Sequence, residues 1–261
     1  MKVIPKKSLG QNFLIDQNII NKIISTTQIT NKEILEIGPG TGNLTEKIIA
    51  KKPNKIYVVE KDKSLCQLLE KKFKSQIDII NEDVLKIDEN KISKNLLIVF
   101  GNLPYNISTE ILLKWILNLN SKIWFEELIL MFQREVAERI ISKIDTSNYG
   151  RLSIISQWKF NIKKVTDIKA SCFNPKPKIE SSLLHFYPKK NSIALDSKDL
   201  EIITRVFFNH RRKMIRKPIS QLFKDPIFIS QKFKIDLNLR PQNISPNTYY
   251  ELAKEYKKLR R

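Results

Sequence analysis

The segment E-I-L-E-I-G-P-G-T-G at residues 33–42 decides the fold that this chain adopts. Glu33–Ile37 is short and rich in isoleucine and leucine, which predicts a buried strand. Glycines at alternate positions follow it at once, and Asn43–Ile49 continues as a helix. Such glycines allow backbone amides to approach a ligand where a strand turns into a helix. The spacing differs from the G-x-G-x-x-G dinucleotide fingerprint, and a tight turn explains the glycines alone equally well.

Two further predicted strands each run into an acidic residue. Ile56–Val59 is followed directly by Glu60, about twenty residues past the glycines, where a carboxylate can hold both hydroxyls of a ribose. The combination of loop, strand and terminal acid favours this interpretation over a solvated helix cap. Ile77–Ile80 is followed closely by Asp83. An acid there can accept a hydrogen bond from an adenine amino group, although a loop acid taken alone is more often only solvated.

A fourth apolar run, Leu96–Phe100, leads into the sequence G-N-L-P-Y. Pro104 restricts the residue before it to extended backbone, which fixes the direction of the Leu103 carbonyl. That carbonyl and the Asn102 amide oxygen can then converge on one exocyclic amine, while Tyr105 offers a flat face for a base. Two fixed acceptors pull the hydrogens of an adenine amine out of the ring plane and return lone-pair density to nitrogen. An ordinary exit from a strand is the alternative for these residues alone.

The order of these segments predicts an α/β fold with a Rossmann-like, doubly wound and mostly parallel sheet. All four strand ends then lie at one edge of the sheet, where such folds bind ligands. Later strands are predicted at residues 127–132, 162–168 and 182–187. The segment 188–197 is polar and irregular, and the pattern after it is helical. We therefore expect a catalytic domain at residues 1–188 and a small all-α domain at residues 189–261.

The charge of the chain indicates a polyanionic partner. Lys and Arg number 47 against 27 Asp and Glu, which gives a formal net charge of +20. Nucleic acid is the first expectation and an anionic membrane the second, with codon bias towards A and T as the alternative source of the lysines. Cys66 and Cys172 are too few for a disulfide framework or a zinc site, so we expect no metal and a reducing, cytoplasmic compartment. No apolar run approaches ~18 residues, which predicts no membrane span.

Two later segments have the composition of nucleic-acid contacts. The loop 172–181 combines prolines and lysines with Phe173, which the sequence predicts to be exposed, and this favours a clamp that stacks on a base. A rigid hairpin loop is the alternative. Residues 205–217 are predicted to form a basic helix without acids and with interleaved aromatic residues. This favours a phosphate-binding surface over a solvated face. Its candidate RNA contacts are Arg211, Arg212, Lys213 and Arg216.

Four motifs together identify a family resemblance. They are S-L-G-Q-N-F-L at residues 8–14, E-I-G-P-G-T-G at 36–42, G-N-L-P-Y-N-I-S at 101–108 and F-N-P-K-P-K-I-E-S at 173–181. In their presence and order the chain resembles the class I S-adenosylmethionine-dependent methyltransferases. Among these it is most similar to the bacterial small-subunit ribosomal RNA adenine dimethyltransferases. The resemblance runs from about Lys7 to the carboxyl terminus.

The resemblance implies a reaction, a cofactor and a set of residues. The family transfers methyl groups from S-adenosylmethionine to N6 of two adjacent adenosines in a hairpin loop near the 3′ end of 16S rRNA. We expect the substrate to be an immature small ribosomal subunit and the enzyme to be a monomer. The cofactor contacts of the family fall on Asn12, Leu14, Gly38, Gly40, Glu60, Asp83 and Asn102. The catalytic motif falls on Asn102, Leu103, Pro104 and Tyr105, and Phe173 matches the aromatic residue that sandwiches the target base against Tyr105.

Three other functions share parts of this pattern. Enzymes that methylate large-subunit RNA and confer antibiotic resistance resemble this chain, but they typically carry N-I-P-Y and lack L-G before Q-N-F. The presence of Leu9, Gly10 and Leu103 favours the small-subunit function. DNA adenine methyltransferases also use N-x-P-Y motifs. A non-catalytic ribosome-assembly or transcription factor is the third alternative, and the intact N-L-P-Y sequence argues against it.

Overall fold

The catalytic motifs lie on a twisted sheet of mostly parallel strands. The computed structural model describes residues 5–6, 9–119 and 123–259. Its strands are β1 (Phe13–Leu14), β2 (Glu33–Ile37), β3 (Lys55–Val59), β4 (Asp78–Ile80), β5 (Leu97–Gly101), β6 (Phe125–Gln133), β7 (Phe160–Ile168), β8 (Phe173–Asn174) and β9 (Ser181–Pro188). All the strands that the sequence predicts are therefore present, and the α/β fold class is confirmed.

Among the described residues, seven strands form one sheet in the order β4-β3-β2-β5-β6-β9-β7. The neighbours from β4 to β6 pair in parallel, and β9 pairs antiparallel with β6. The carboxyl ends of β2 to β6 consequently lie at the same edge of the sheet. Because β9 runs in the opposite direction, its first residue, Ser181, lies at that edge too, opposite Gln133 of β6.

Helices cover the sheet and build the second part of the molecule. They are α1 (Gln17–Ile24), α2 (Asn43–Ala50), α3 (Lys63–Phe73), α4 (Ser108–Asn118), α5 (Arg134–Ile141), α6 (Arg151–Lys159), α7 (Ser197–Phe208), α8 (Arg216–Leu222), α9 (Pro226–Phe233) and α10 (Pro246–Leu259). The core of the sheet unit includes buried residues of α1, α2 and α3, such as Ile20, Ile48 and Leu69. No helix in the described part of the chain has the length and apolar composition that a membrane span requires.

The chain divides into two compact units. The first comprises Met1–Lys114, Ser121–Ala137 and Ile162–Pro188, and it contains the sheet. The second comprises Trp115–Asn120, Glu138–Asn161 and Lys189–Arg261. The second unit therefore includes α6 as well as the helices that follow Pro188. This is explained by packing, because α6 contacts both α7 and α10.

Buried tyrosines hold the second unit together. Tyr149 donates a hydrogen bond to the carbonyl of Ile244 (2.9 Å), and Tyr250 donates one to the carbonyl of Ile154 (2.9 Å). Tyr249 is fully buried and packs edge-to-face on Phe207, with their ring centroids 5.3 Å apart. Each hydroxyl therefore has a partner although its ring is buried, as the burial of a polar group requires.

The prediction of one basic helix across residues 205–217 is wrong. Helix α7 ends at Phe208 and α8 begins at Arg216, so the residues between them form a turn. The backbone amide of Ile215 donates a hydrogen bond to the carbonyl of Leu239 (2.9 Å) instead of continuing the helix. Pro218 explains why a new helix begins at Arg216, because proline is tolerated in the first turn of a helix but breaks a helix interior.

Candidate active site

A single pocket collects most of the residues that the sequence analysis selects. It lies at the edge where the parallel strands end. Its lining includes Asn12, Gly38, Gly40, Glu60, Asp83, Asn102, Leu103, Pro104 and Tyr105. Leu14 is buried and lines a smaller adjoining cavity that shares Gly38 and Asn102 with the pocket. Segments that are far apart in sequence thus meet at one site, as their common position after parallel strands requires.

The glycine loop after β2 has no space for a side chain at Gly40. Gly38 and Gly40 have φ angles of 67° and 57°, in the left-handed region that favours glycine. A Cβ atom on Gly40 would lie 2.7 Å from Cδ1 of Phe13, and one on Gly38 would lie 3.4 Å from the carbonyl oxygen of Asn102. The loop backbone is therefore closely packed against the amino-terminal arm and the loop after β5.

Glu60 occupies the end of β3 with only 8% of its surface exposed. The backbone amide of Asp62 donates a hydrogen bond to Oε1 of Glu60 (2.8 Å), which fixes the carboxylate. Burial raises the pKa of Glu60 above its usual range. A fixed and poorly solvated carboxylate at this position is suited to accept hydrogen bonds from the two hydroxyls of a ribose.

Asp83 lies beside Glu60 in the pocket lining and is held by two donors. Lys61 Nζ lies 2.8 Å from Oδ2, and the backbone amide of Leu85 lies 3.0 Å from Oδ1. These two bonds hold the pKa of Asp83 below its usual range, so its carboxylate is ionised at neutral pH. Val84 and Leu85 add apolar wall to the same pocket. The sequence analysis missed these two, although an apolar pair directly after an acid was a visible signal for the sides of a base-binding slot.

Lys114 of α4 supports this loop from outside the pocket. Its ammonium group donates to the carbonyls of Val84 (2.9 Å) and Ile87 (2.6 Å) and to Oε1 of Glu89 (2.8 Å). The side chains of Lys114 and Glu89 are 17% and 6% exposed. One buried cation therefore ties the loop after β4 to helix α4. No sequence signal indicates this role, because Lys114 occupies an ordinary position within a helix.

The amino-terminal arm is fastened across the pocket at both of its ends. At one end, Gln11 Nε2 and Lys6 Nζ both donate to the Asp62 carboxylate, at 3.0 and 2.8 Å. At the other end, β1 pairs with β8 so that Leu14 lies opposite Phe173. Between these anchors, residues 9–13 line the pocket. The arm is therefore part of the site, not merely a packed terminus.

The arm also orients the first residue of the catalytic motif. Asn102 Nδ2 donates to the backbone carbonyl of Asn12, at 3.0 Å. Because the amide nitrogen is engaged in this way, Oδ1 remains as the acceptor of that side chain. Leu103 is 1% exposed and anchors the loop in the core. The backbone amides of Ile107 and Ser108 both donate to the carbonyl of Pro104, which closes the turn at the start of α4.

Tyr105 is half-buried and its hydroxyl is not free. The phenolic oxygen lies 2.5 Å from Oγ of Ser181, the first residue of β9. Burial raises the pKa of Tyr105, so the phenol is neutral at physiological pH. The sequence analysis missed Ser181, because 76 residues separate it from Tyr105 and only the sheet topology brings the two together.

The prediction that Phe173 is exposed is wrong. Its side chain is 3% exposed and belongs to the same hydrophobic cluster as Leu14 and Met131. The pairing of β8 with β1 brings this residue into the core. In this conformation Phe173 offers no face to a base. The exposed part of the loop begins after it and includes Lys176, Lys178 and Ile179.

The candidate RNA contacts lie in the second unit, in and after the turn between α7 and α8. The guanidinium of Arg211 donates to the carbonyl of Ser147. Arg212, Lys213 and Arg216 are exposed and, among the residues that the structure describes, have no ion pair. The nearby Glu201 pairs with Arg151 (2.9 Å) and not with these cations. Three of the four predicted contacts are therefore available to a phosphate.

Comparison with known proteins places this geometry in a family. The model of the family described as ribosomal RNA adenine dimethylase matches residues 4–258. Over 261 residues, and 100% of both chains, the sequence is 61% identical to "Ribosomal RNA small subunit methyltransferase A" of Pelagibacter ubique. A protein of the same name from Zymomonas mobilis is 35% identical, over 97% of this chain and 92% of the relative.

A solved structure gives the same result. The crystal structure of a dimethyladenosine transferase from Plasmodium falciparum aligns with a TM-score of 0.79 and 25% identity, over 94% of this chain and 98% of that one. Family model, sequence relatives and structure agree with one another. The chain belongs to the ribosomal RNA adenine dimethylase family.

Proposed function

We propose that this protein dimethylates N6 of two adjacent adenosines in a hairpin loop near the 3′ end of 16S rRNA. It does so as a monomer in the cytoplasm, on an immature small ribosomal subunit. The observation that carries the proposal is the orientation of Asn102, whose amide nitrogen is bound to the arm and whose Oδ1 is left as an acceptor. An adenine amine needs such an acceptor at the edge of a cofactor pocket.

The pocket has the chemical groups that S-adenosylmethionine requires. This cofactor supplies a methyl group on a positively charged sulfur. The Gly38–Gly40 backbone leaves room for its amino-acid part, and Glu60 accepts from the ribose hydroxyls. Asp83 accepts from the adenine amino group, and Leu85 forms an apolar wall.

The chain's own residues act mainly by positioning the amine. Asn102 Oδ1 and the Leu103 carbonyl accept the two N6 hydrogens, while the adenine stacks on Tyr105. Holding the amine in line with the transferred methyl group converts a bimolecular encounter into an effectively unimolecular step. The fixed acceptors stabilise the positive charge that develops on nitrogen.

The proton leaves after the transfer, when the amine nitrogen carries a full positive charge and is acidic. The titratable residues of the described pocket lining are Glu60, Lys61, Glu82, Asp83 and Tyr105. Glu60, Glu82 and Asp83 each accept a hydrogen bond from a backbone amide. Lys61 is paired with Asp83, and the Tyr105 phenol is neutral. We therefore assign the proton to water. For the second methyl group only one N–H remains, so the substituted amine rotates while Asn102 or Leu103 keeps one bond.

The second unit holds RNA through its exposed basic turn. Arg212, Lys213 and Arg216 have no acidic partner in the part of the chain that the structure describes, so their charge is available to phosphates. Such contacts add affinity that depends on salt but not on sequence. Recognition of the particular adenosines then rests on the fold of the RNA and on the pocket of the first unit.

One experiment tests the reaction and the substrate together. The protein is incubated with methyl-labelled S-adenosylmethionine and, in parallel, with unmethylated small subunits, large subunits and duplex DNA. We expect label on N6,N6-dimethyladenosine of the small-subunit RNA only, and the Asn102→Ala variant provides the control for contaminating activity. Label on the large subunit would replace the proposal by the resistance-type function, and label on DNA would replace it by DNA methylation.

A further inference from the structure

We propose that Ser181 is a positioning residue for methyl transfer, which acts by holding the ring of Tyr105 in one orientation. The inference rests on the proposed function, in which the target adenine stacks on Tyr105. It assigns a role in the reaction to a residue of β9 that does not line the pocket. Substrate specificity at this point would then depend on a hydroxyl pair as well as on the catalytic motif.

The geometry makes Ser181 a fixed point. Its Oγ lies 2.5 Å from the hydroxyl oxygen of Tyr105. Ser181 is fully buried, and its backbone pairs with Gln133, the last residue of β6. On its other side, the carbonyl of Glu180 accepts from the backbone amide of Arg134 (3.0 Å). The backbone of Ser181 is therefore held by the sheet, which limits how far its hydroxyl can follow movements of the tyrosine ring.

The ring of Tyr105 needs a second anchor because of where it is attached. Its backbone lies in the turn between β5 and α4, and rotation about the bond between Cα and Cβ swings the whole ring between staggered positions. The phenolic oxygen moves with that rotation, so the hydrogen bond at the far end of the ring restricts it. An adenine that stacks on the ring adopts the plane of the ring. The orientation of Tyr105 therefore sets the position of N6 relative to Asn102 Oδ1, and small errors in such positions lower the rate of reaction.

The simpler explanation is that Ser181 only satisfies a half-buried phenol, since buried polar groups need partners. The two explanations differ in what they predict. A residue that only satisfies the hydroxyl affects the stability of the fold. A positioning residue affects kcat, the rate at which bound substrate is converted. The next residue of β9 offers a matched comparison of these two effects.

Ser182 is the control that the chain provides. It is also fully buried, and its Oγ donates to Oδ1 of Asp167, at 2.6 Å. Successive residues of a strand point to opposite faces of the sheet, so Ser182 faces away from Tyr105. A hydrogen bond to a carboxylate is stronger than one between two neutral hydroxyls. Ser182→Ala thus removes a bond at least as strong from the same strand without touching the pocket.

The experiment compares four variants: Ser181→Ala, Tyr105→Phe, the double variant and Ser182→Ala. For each, kcat and KM are measured with unmethylated small subunits, together with cofactor affinity and the thermal midpoint. We expect Ser181→Ala and Tyr105→Phe to lower kcat about three- to tenfold, the range of one neutral hydrogen bond, with unchanged cofactor affinity. The double variant should be no slower than the slower single variant, because both single changes remove the same interaction. Ser182→Ala should lower the thermal midpoint but keep the wild-type kcat.

Distinct results overturn the inference. A kcat for Ser181→Ala equal to that of Ser182→Ala, or a double variant whose loss is the product of the single losses, would leave Ser181 with a structural role only. Tyr105→Phe keeps β9 intact, so a folding defect of Ser181→Ala does not prevent the decision. If wild type and Ser182→Ala both fail to label small-subunit RNA, the proposed function itself is wrong and the inference falls with it.

Discussion

The loop after β5 and the turn between α7 and α8 carry the two kinds of side chain to which we assign a function, and they are built in opposite ways. In the first, Asn102 is bound to the arm and Tyr105 to Ser181. In the second, Arg212 and Lys213 are exposed and have no ion pair among the described residues. Moving a methyl group to one nitrogen requires fixed geometry, whereas binding phosphates requires charge with freedom to adapt.

The contrast determines what a substitution does. A change in the first region alters a preorganised arrangement, so its effect appears in a rate constant or in stability. A change in the second removes one cation from an adaptable set, so its effect appears in the salt dependence of RNA affinity. The predictions below test this difference and the pocket around the first region, from the largest expected effect to the smallest.

Phe173→Ala should destabilise the protein by about 3–5 kcal/mol, because it removes a large side chain from the core. Ile179→Ala is the matched control, since Ile179 belongs to the same loop and is 47% exposed. Its effect should stay within about 0.5 kcal/mol, as for most surface positions. Urea unfolding of both variants measures the difference. Equally small effects would place Phe173 on the surface in solution and restore the stacking clamp that the sequence predicts.

Asn102→Ala should lower single-turnover methylation about 10²- to 10³-fold, the usual loss of one preorganised partner. Cofactor affinity should weaken less, because Glu60 and Asp83 keep their positions. Rapid-quench assays at saturating cofactor, with calorimetry in parallel, separate the two effects. A rate within about threefold of wild type would remove Asn102 from catalysis, since that is far below the cost expected for such a group.

The different success of sequence reasoning in the two regions has a physical basis. Glu60, Asp83 and Asn102 were predictable because parallel strands end at one edge, so local patterns fix their place in space. Phe173 was misjudged because its burial depends on pairing between β8 and β1, which lie far apart in the chain. The contact between Ser181 and Tyr105 could not be predicted for the same reason.

The helix prediction for the second region was wrong for a local reason instead. Residues 205–217 have a helical composition, but Pro218 restricts any helix through it to start nearby. The observed start of α8 at Arg216 satisfies that restriction. Pro218 was visible in the sequence, but the prediction gave more weight to the helical composition of residues 205–217. Arg212, Lys213 and Arg216 are exposed as their residue types favour, because exposure of lysine and arginine needs no tertiary information.

Glu60→Gln should raise the dissociation constant of S-adenosylmethionine by about one to two orders of magnitude, because bonds to a charged acceptor are worth roughly 1.5–3 kcal/mol. Glu82→Gln is the control, since Glu82 also lines the pocket but is exposed. Isothermal calorimetry gives both affinities. Similar small losses in the two variants would mean that the ribose is held elsewhere.

The pH dependence of the same affinity tests the burial of Glu60. Burial raises its pKa, so the carboxylate becomes protonated at a higher pH than an ordinary glutamate. As the pH falls through that raised pKa, the charged acceptor is lost and the dissociation constant should rise. Above it the affinity should be constant. Glu60→Gln should abolish this dependence, and a pH profile that persists in the variant would assign it to Asp83 or to the cofactor.

The last prediction has the smallest expected effect per residue. It distinguishes Arg211 from neighbouring cations that look alike in the sequence. Changing Arg212, Lys213 and Arg216 together to Ala should lower the slope of log affinity against log salt by about two units, at roughly 0.7–0.9 for each phosphate contact. Arg211→Ala should leave the slope almost unchanged, because its guanidinium is bound to the carbonyl of Ser147. It should instead lower the thermal midpoint, since it removes a donor from that carbonyl.

Filter binding to small-subunit RNA across a salt series, with thermal unfolding of each variant, measures both quantities. A wild-type slope in the triple variant would assign the positive charge of this turn to composition and move RNA binding to lysines such as Lys176 and Lys178. A slope change for Arg211→Ala as large as that of any other single cation would show that the bond to Ser147 opens when RNA binds. The freedom to adapt to phosphates would then extend to Arg211, whose guanidinium the structure shows bound to Ser147.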